Sequence, residues 1–376
     1  MIALTVYVAI FAAKAVLAWW YVRNYPKPRK SSELAPVTIC QAILSGDPDL
    51  EDTLESTVVS LPRANFVWLI DEDDTDAARI TARLSQAHPQ REITVISLPA
   101  PAEGINPKLF KLEAARVLVP SGVFLVLDDD TRLTSVSLAA LIDALDRSDL
   151  ATGLPFYRDS PNVFGRLLAQ FVNNNSALTY LPLVPFVPPV SINGMCYALH
   201  VETLSRLHGF EPIMRHLTDD LAVADRIRLS GGRIVQTPFP QEVATTLDSF
   251  TRYASQMHRW YVFALLLMRR QTLALNTTIL LLYGVPPVLL AIGFFRSVIL
   301  PSWGRCSLLA GALLFRGTVL SLLQWHISGK VRHRPLLSLL SEVLQPLHLM
   351  HAVLVKSIRW RSRHYRVYDN DHFTSI

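Results

Sequence analysis

The sequence predicts a mixed α/β domain with a mostly parallel sheet, bracketed by apolar helices at both ends of the chain. Short apolar runs alternate with amphipathic stretches between residues 31 and 250, which is typical of parallel strands covered by helices. Acidic clusters follow two of those runs directly. Half of the 376 residues are hydrophobic and only 18% are charged, whereas globular domains average about a quarter. The composition therefore indicates that part of the chain lies in lipid.

The N-terminal segment, residues 1–23, is predicted to be a transmembrane anchor. Its apolar run at 2–22 has the length that crosses a bilayer, and a single charged residue, Lys14, interrupts it. Aromatic and then basic residues close the run: Trp19, Trp20, Tyr21, Arg23, Lys27, Arg29 and Lys30. A cleaved signal peptide would carry its positive charge before the run. The positive-inside rule places the next domain in the cytoplasm, at a bacterial inner membrane or at the ER or Golgi.

The central region, residues 31–250, is predicted to form the α/β domain. Its apolar pattern predicts three helices, at 49–61, 75–88 and 108–119, and four strands, at 37–44, 66–70, 92–98 and 123–127. In open parallel sheets, ligands bind beyond the carboxyl ends of the strands. The acidic clusters begin at Asp71 and Asp128, directly after the second and fourth strands. We therefore expect the functional site at that edge of the sheet.

The C-terminal region is predicted to return to the membrane. It divides into an interfacial helix, membrane helices and a basic cytosolic tail, at residues 251–272, 273–358 and 359–376. The apolar runs at 273–295 and 306–325 can each span a bilayer. The run at 335–357 contains Glu342 and Pro346, which favours an in-plane or re-entrant helix. We expect three spanning helices in all, with Arg316 facing protein or reaching the interface.

Charge and cysteine content narrow the class of protein further. The net charge of +5 indicates an anionic partner. A membrane surface is favoured over nucleic acid because the basic residues flank the apolar segments. The three cysteines are far apart and odd in number, which argues against a disulfide framework or a cysteine zinc site and favours a reducing compartment.

The acidic clusters are the first candidate site residues. Side chains alternate along an extended chain, so Asp128 and Asp130 are expected to point one way and Asp129 the other. Two converging carboxylates suit a hard divalent cation that clamps a diphosphate. The alternative is a solvated acidic turn. The cluster Asp71-Glu72-Asp73-Asp74 admits the same alternative, because acids after a strand often cap the next helix.

The third acidic cluster is the pair Asp219-Asp220, which stands at a predicted helix start after Thr218. One interpretation is a simple helix cap. The other is a general base, because transfer of a group to a hydroxyl needs a carboxylate that takes up the hydroxyl proton. Adjacent acids disfavour each other's ionisation, which raises one pKa.

The helical stretch around residue 256 supplies the last candidate residues. Gln256, Arg259 and Trp260 share one helical face by their spacing. Arginine can pair with a departing phosphate, and tryptophan offers an aromatic face to a sugar or an acyl chain. Standing alone, this stretch is more typical of an amphipathic helix at a membrane surface. Its place after the acidic clusters favours the functional interpretation.

Taken in this order, the motifs resemble the membrane-bound inverting glycosyltransferases of family 2 type, and more narrowly the ceramide glucosyltransferase family. That family has three aspartate motifs and a Q/R-x-x-R-W motif. Further similar segments are Gly46-Asp47-Pro48-Asp49-Leu50, Gly104-Ile105-Asn106-Pro107-Lys108, Ser191-Ile192-Asn193-Gly194-Met195 and the basic aromatic stretch at 360–365. The segment ending in Lys108 is the most specific of them.

The resemblance implies a GT-A fold, a UDP-hexose donor, Mg²⁺ or Mn²⁺, and a lipid acceptor of the ceramide or diacylglycerol type. It implies that Asp220 is the catalytic base. The implied nucleotide-sugar residues are Asp71, Asp73, Asn106, Lys108 and Asp129, and the implied metal ligands are Asp128 and Asp130. The diphosphate and acceptor would meet Asp219, Gly194, Gln256, Arg259 and Trp260.

Two other functions remain open from the sequence. One is a processive polysaccharide synthase of the same broad family, which needs a channel of many helices. The other is a non-catalytic membrane protein whose acidic clusters bind a cation or a partner.

Overall fold

A computed structural model describes residues 1–29, 36–244, 246–360 and 363–375. The α/β domain alternates strands and helices as predicted: β1 Val37–Ala42, α2 Leu50–Ser60, β2 Asn65–Asp71, α3 Thr75–Ala87, β3 Ile93–Leu98, α4 Pro107–Arg116, β4 Val123–Leu127, β5 Thr131–Arg132, α5 Ser135–Leu145, β6 Leu150–Tyr157, α6 Val163–Tyr180, β7 Cys196–His200, α7 Val201–Arg206, α8 Asp219–Leu229 and β8 Ile234–Val243.

The remaining elements lie at the two ends of the chain. They are α1 Ile2–Asn24, α9 Phe250–Arg269, α10 Leu273–Ile279, a π-helical turn Leu280–Gly284, α11 Val285–Ile299, α12 Trp303–Ser328, α13 Pro335–Val343, α14 Gln345–Leu354, β9 Ser357–Trp360, β10 Arg363–Val367 and β11 Phe373–Ser375. Lys30, the predicted domain start at residue 31, and residues 361–362 of the basic aromatic stretch lie outside the described residues.

Eight strands form one sheet in the order β3-β2-β1-β4-β7-β6-β8-β5. The first four are parallel, and Cys40 of β1 pairs with Val67 of β2 and Val126 of β4. Strand β7 runs antiparallel to β4, with Cys196 opposite Leu127. The loop that precedes β7 therefore reaches the edge of the sheet at which β2 and β4 end. The residues that follow β2, those that follow β4 and the loop before β7 therefore meet at this edge.

The sheet has a hydrophobic core on each face. Alternate side chains of β4 enter different cores, as the pleat requires. Leu125 packs in the core that α2, α3 and α5 cover. Phe124 and Val126 pack in the core that α4 and α8 cover. Helices α4 and α8 therefore lie on the same face, which brings their N-terminal ends together at the sheet edge.

Four helical segments of the described chain are long and apolar enough to cross a membrane: Ile2–Asn24, Leu273–Ile299, Trp303–Ser328 and Pro335–Leu354. The first three correspond to the predicted spans. The fourth, which the sequence predicts as in-plane, also has the length of a span. It consists of two helices, α13 and α14, which meet at Leu344. Its placement in or across the membrane stays a prediction.

Polar side chains inside this helical layer are paired with protein groups. Lys14 of α1 donates from Nζ to the Leu282 carbonyl oxygen at 3.0 Å and lies 4.6 Å from the Tyr283 ring centroid. Arg316 of α12 forms an ion pair with Glu342 of α13, with Nη2 and Oε2 3.1 Å apart. The expectation that Arg316 faces protein is confirmed, because only 3% of the residue is exposed.

The C-terminal residues form a small antiparallel sheet in the order β11-β10-β9. The sequence predicted no more than a basic tail here. Buried side chains of this sheet pack in one cluster with α8, α9 and α14: Leu217, Leu221, Val262, Leu266, Ala352, Ile358, Tyr365 and Val367. Apolar alternation over so few residues is a weak sequence signal, which is why the strands escaped notice.

Candidate active site

Lys108 lies at the centre of the sheet edge. Its Nζ is 2.7 Å from Oδ1 of Asp128 and 2.8 Å from Oδ2 of Asp219, and it donates to the Gly194 carbonyl oxygen at 2.8 Å. Burial alone would lower the pKa of Lys108, but the charges of Asp128 and Asp219 raise it well above its ordinary value. One ammonium group thus joins the second acidic cluster, the third and the loop before β7.

Asn106 fixes the start of the helix that carries this lysine. As the N-cap of α4, its side-chain oxygen accepts from the backbone amides of Lys108 and Leu109, at 3.0 and 3.4 Å. Its amide nitrogen donates to the carbonyl oxygens of His216 and Leu217, at 3.0 and 3.2 Å. Asn106 is buried and its hydrogen-bonding capacity is used within the protein. It fixes the start of α4 and the chain just before α8, and its implied contact with a nucleotide sugar stays a prediction.

Asp219 and Asp220 open helix α8, so they stand in its first turn as predicted. Asp219 is buried against Lys108, whereas Asp220 is half-buried. Burial and then the negative charge of Asp219 raise the pKa of Asp220 to about 7. The expectation that one acid of the pair has a raised pKa is confirmed. Asp220 can therefore gain or lose a proton near neutral pH.

The loop before β7 approaches Asp220 closely. A Cβ atom on Gly194 would lie 2.9 Å from the Cβ of Asp220, which explains glycine at this position. Asn193 shapes the loop: it donates to Gln241 Oε1 at 2.6 Å and accepts from the Met195 amide at 3.2 Å. The Met195 carbonyl oxygen then accepts from the Asp128 amide at 2.8 Å. The glycine loop and the second acidic cluster are therefore held together through the backbone.

The three aspartates after β4 differ in environment. Asp129 is buried, and its Oδ2 accepts from the Leu44 amide at 2.8 Å, which ties β4 to the loop after β1. Asp128 and Asp130 are half-buried. Asp130 accepts from the Thr131 hydroxyl at 3.0 Å. Burial raises the pKa of Asp128, an effect that Lys108 opposes and Asp219 reinforces. The difference in burial matches the predicted alternation, with Asp129 turned away from the other two.

The first acidic cluster has a basic partner that the sequence analysis missed. Lys111 is buried, with Nζ 2.9 Å from Oδ1 of Asp71 and 2.9 Å from the Ile43 carbonyl oxygen. Lys111, rather than Lys108, is therefore the lysine that contacts Asp71. The implied role of Asp71, Asp73 and Lys108 in binding the nucleotide sugar stays a prediction. Asp73 is exposed, and Asp74 is the cap of α3, accepting from Ala77 at 3.0 Å.

The Gln256–Trp260 motif lies on α9. Arg259 donates from Nη2 to Gln256 Oε1 at 2.8 Å, so these two side chains share a helical face as predicted. Trp260 is half-buried and stacks on Phe171, with ring centroids 6.1 Å apart, while Tyr157 meets it edge-on at 6.2 Å. The motif therefore places the Arg259 guanidinium group next in sequence to Trp260, whose ring packs against Phe171 and Tyr157.

The fold of this chain is similar to that of a solved mannosyltransferase. Over 94% of its length the chain is similar to a solved structure, the mannosyltransferase PcManGT from Pyrobaculum calidifontis in complex with GDP-Man and Mn2+. The match covers 97% of that chain, with a TM-score of 0.51 and 16% identity. At this identity the likeness shows the fold alone, and it confirms the predicted GT-A fold.

A second solved structure is more distant. It is glucosyl-3-phosphoglycerate synthase from Mycobacterium tuberculosis in complex with Mn2+, uridine-diphosphate and phosphoglyceric acid. The TM-score is 0.36 at 16% identity, and the match covers 60% of this chain and 75% of that one. A comparison with curated proteins finds no match.

The sequence places the chain in a particular family. The family model described as glycosyl transferase family 21 matches residues 1–373, so the chain belongs to that family. This is the ceramide glucosyltransferase family that the motifs resemble. The protein is therefore a glycosyltransferase, and the non-catalytic alternative is set aside.

Proposed function

We propose that the protein is a membrane-bound inverting glycosyltransferase. It moves a hexose from a UDP-sugar to a hydroxyl of a lipid acceptor of the ceramide or diacylglycerol type, and its catalytic domain faces the cytoplasm. One observation carries this proposal: Asp220, with its pKa raised to about 7, lies against the Gly194 loop at the sheet edge where the other carboxylates gather.

The reaction is a single displacement in which Asp220 acts as general base. Its carboxylate accepts the proton of the acceptor hydroxyl as the acceptor oxygen bonds to the anomeric carbon of the sugar. The bond between that carbon and the diphosphate oxygen breaks, and its electron pair leaves with the nucleoside diphosphate. Attack from the opposite side inverts the anomeric carbon. A base with a pKa near the working pH is well matched to this role.

The donor would lie along the carboxyl ends of β2 and β4. Asp71, fixed by Lys111, and the exposed Asp73 are placed to meet the uracil and ribose groups. Gln256 and Arg259 supply an amide and a guanidinium group for the diphosphate. The neighbour crystallised with GDP-Man and Mn2+ supports a nucleotide-sugar donor for this fold.

The residues present fit a divalent cation. Asp128 and Asp130 are half-buried carboxylates after one strand, and Mg²⁺ is commonly held by one or two carboxylates together with substrate phosphates. The described residues contain no group of three His, Cys, Asp or Glu side chains arranged as metal ligands, so phosphate oxygens would complete the coordination. A bound Mg²⁺ or Mn²⁺ would neutralise charge on the diphosphate.

The segment at the end of α6 supports a lipid acceptor. Burial raises the pKa of Tyr180 at the end of α6, and the negative charge of Asp220 acts in the same direction. The next residue, Leu181, is buried in the cluster that α1, α11 and α12 share, and Tyr283 Oη donates at 3.1 Å to a carbonyl at the end of α6. The loop continues to Phe186, which is 67% exposed. The segment after α6 therefore packs against the membrane-length helices and exposes an apolar side chain that suits a lipid acceptor.

A processive polysaccharide synthase is the second candidate. Such an enzyme needs a channel built from many helices. The described residues contain four helices of membrane length, and one of these is divided in two. The lipid-directed function is therefore favoured.

The deciding experiment compares wild type with Asp220→Asn. Both proteins are purified in detergent and supplied with a panel of UDP-hexoses and with ceramide or diacylglycerol. We expect Asp220→Asn to lose about 10³-fold in transfer rate, since general bases contribute roughly 10²–10⁴-fold. The control is Asp76→Asn, whose side chain is 70% exposed on α3.

The products are extracted and identified by mass spectrometry, which gives the sugar and the lipid class together. Transfer by Asp220→Asn at the wild-type rate would show that another group is the base. Wild-type transfer only to a growing glycan would favour the polysaccharide synthase.

A further inference from the structure

Asn370 makes buried contacts with the chain just ahead of the catalytic helix. It lies in the turn between β10 and β11 and is 0% exposed. Its Oδ1 accepts from the backbone amide and from the hydroxyl of Thr218, each at 2.7 Å, and its Nδ2 reaches the Thr218 carbonyl oxygen at 3.4 Å. Its own carbonyl oxygen accepts from the Leu217 amide at 2.7 Å.

These contacts change the way in which helix α8 begins. A threonine at an N-cap position ordinarily accepts a hydrogen bond from the first turn of its own helix. Thr218 makes no side-chain cap bond, and its hydroxyl is directed instead towards Asn370, to which it donates. The direction of the chain that enters α8 is therefore set by the C-terminal turn.

Residues 216–218 are held from two sides. Asn106 donates to the carbonyl oxygens of His216 and Leu217 from the segment that carries Lys108. Asn370 holds Leu217 and Thr218 from the C-terminal side. The residues that follow are Asp219, which pairs with Lys108, and then the base.

The turn that carries Asn370 is itself attached to α9, the helix of the Gln256–Trp260 motif. Arg269 donates to the Tyr368 carbonyl oxygen at 2.6 Å. Arg270 lies 3.7 Å from Asp369 and 3.8 Å from Asp371, measured from Nη2 to the carboxylate oxygens. The C-terminal turn thus links the helix of the base to the helix of the arginine motif.

We propose that Asn370 is a positioning residue for Asp220, and that the C-terminal sheet helps to set the geometry of the active site. This inference rests on the proposed role of Asp220 as the base. Because Asn370 is fully buried, its positioning role requires no contact with donor or acceptor. Asn370 acts through Thr218, by fixing where the first turn of α8 places the base relative to Lys108 and Gly194.

The test uses the full-length protein with three substitutions near the turn. Asn370→Ala removes every side-chain contact with Thr218, and we expect kcat to fall at least tenfold while the KM for the UDP-hexose stays within twofold. Asn370→Asp keeps both accepted hydrogen bonds and adds a negative charge. We expect it to recover most of kcat at alkaline pH, with the acidic limb of its pH–rate profile moved to higher pH. Thr374→Ala is the control, since it changes an exposed side chain of β11 and leaves Thr218 bonded.

The outcomes separate this inference from the proposed function. If Asp220→Asn is inactive while both Asn370 variants match wild type in kcat and in pH profile, only the positioning role fails. If Asp220→Asn is fully active, both proposals fail together. Equal losses of kcat in Asn370→Ala and Thr374→Ala, or a rise in the KM for the UDP-hexose that matches the fall in kcat, would leave the turn with a structural role only. If Asn370→Ala does not fold, the pH profile of Asn370→Asp decides: an unshifted acidic limb overturns the inference.

Discussion

Two lysines on one helix distribute the acidic groups of the site between them. Lys108 and Lys111 are three residues apart on α4, so they lie on the same helical face. Lys108 meets Asp128 and Asp219, while Lys111 meets Asp71. Helix α4 therefore contacts each of the three aspartate motifs through a lysine side chain. A shift of α4 would move every one of them.

The raised pKa of Asp220 predicts a pH dependence of catalysis. The base must be ionised to accept the hydroxyl proton, and its pKa lies near 7 because of burial and the neighbouring Asp219. Activity should rise with pH and reach half its maximum close to pH 7. The measurement is kcat/KM between pH 5 and 9 at saturating lipid. A profile that is flat from pH 5 to 8 would contradict the assignment.

For individual residues, the sequence predicted which side chains belong to the candidate site better than it predicted which other side chains they contact. The acids could be found because they follow apolar runs whose ends face the ligand edge of a parallel sheet. Choosing between Lys108 and Lys111 for Asp71 depends on how far α4 is displaced along β1 and β2. That displacement is a property of packing between distant segments and leaves no local pattern. Asn370 was missed for the same reason, since 152 residues separate it from Thr218.

Helix α13 is joined to its neighbours by polar contacts in an otherwise apolar layer. The Arg316–Glu342 ion pair connects it to α12, and Arg316 also donates to Ser338. Ser338 in turn accepts from Asn174 of α6 at 2.8 Å. All four side chains are buried. The contacts attach α13 to the catalytic domain, which would limit its freedom to tilt in a bilayer.

Removing one partner of this pair should destabilise the protein strongly. Arg316→Leu leaves Glu342 buried without its counter-charge, which costs about 3–5 kcal/mol in the free energy of unfolding. The double variant Arg316→Leu/Glu342→Leu should recover most of that loss, because two apolar side chains often replace a buried pair at little cost. Chemical unfolding in detergent, followed by tryptophan fluorescence, measures both. A double variant that is as unstable as the single one would show that the ion pair itself is required.

The elements of the α/β domain were more predictable than those around them. Strand β4 was predicted at its observed bounds, and α2, α3 and α4 within a few residues. Each has a clear apolar period and a polar boundary. The antiparallel insertion of β7 between β4 and β6 could not be inferred, because strand order depends on long-range pairing. The β9–β11 sheet is too short to carry a period of its own.

At the scale of the whole molecule, the catalytic domain and the membrane-length helices share a hydrophobic cluster. Leu154 of β6 and Leu178 of α6 pack with side chains of α1, α11 and α12. Arg332, just after α12, donates to the Tyr157 carbonyl oxygen at 2.7 Å. The chain therefore leaves the catalytic domain at α9 and has returned to it by residue 332. Segments 273–299 and 303–328 form a hairpin between these two points.

This hairpin predicts the accessibility of one cysteine. If both segments span the membrane, residues 300–302 lie on the face opposite the catalytic domain. Cys306 is exposed near that loop, whereas Cys40 and Cys196 are buried. We expect a membrane-impermeant maleimide to label the protein in sealed vesicles only from the non-cytoplasmic side, with Cys306→Ser as the unlabelled control. Labelling from the cytoplasmic side alone would reverse the proposed orientation.

The position of Asn370 along the chain also affects the order in which activity is acquired. A chain is synthesised from its N-terminus and its domains fold in that order. The α/β sheet and all four membrane-length helices precede residue 370. If Asn370 fixes the start of α8, a nascent chain can insert and fold most of its structure while its base remains poorly placed. Sugar transfer would then begin only after the membrane helices have been made, so an incompletely inserted chain would be inactive.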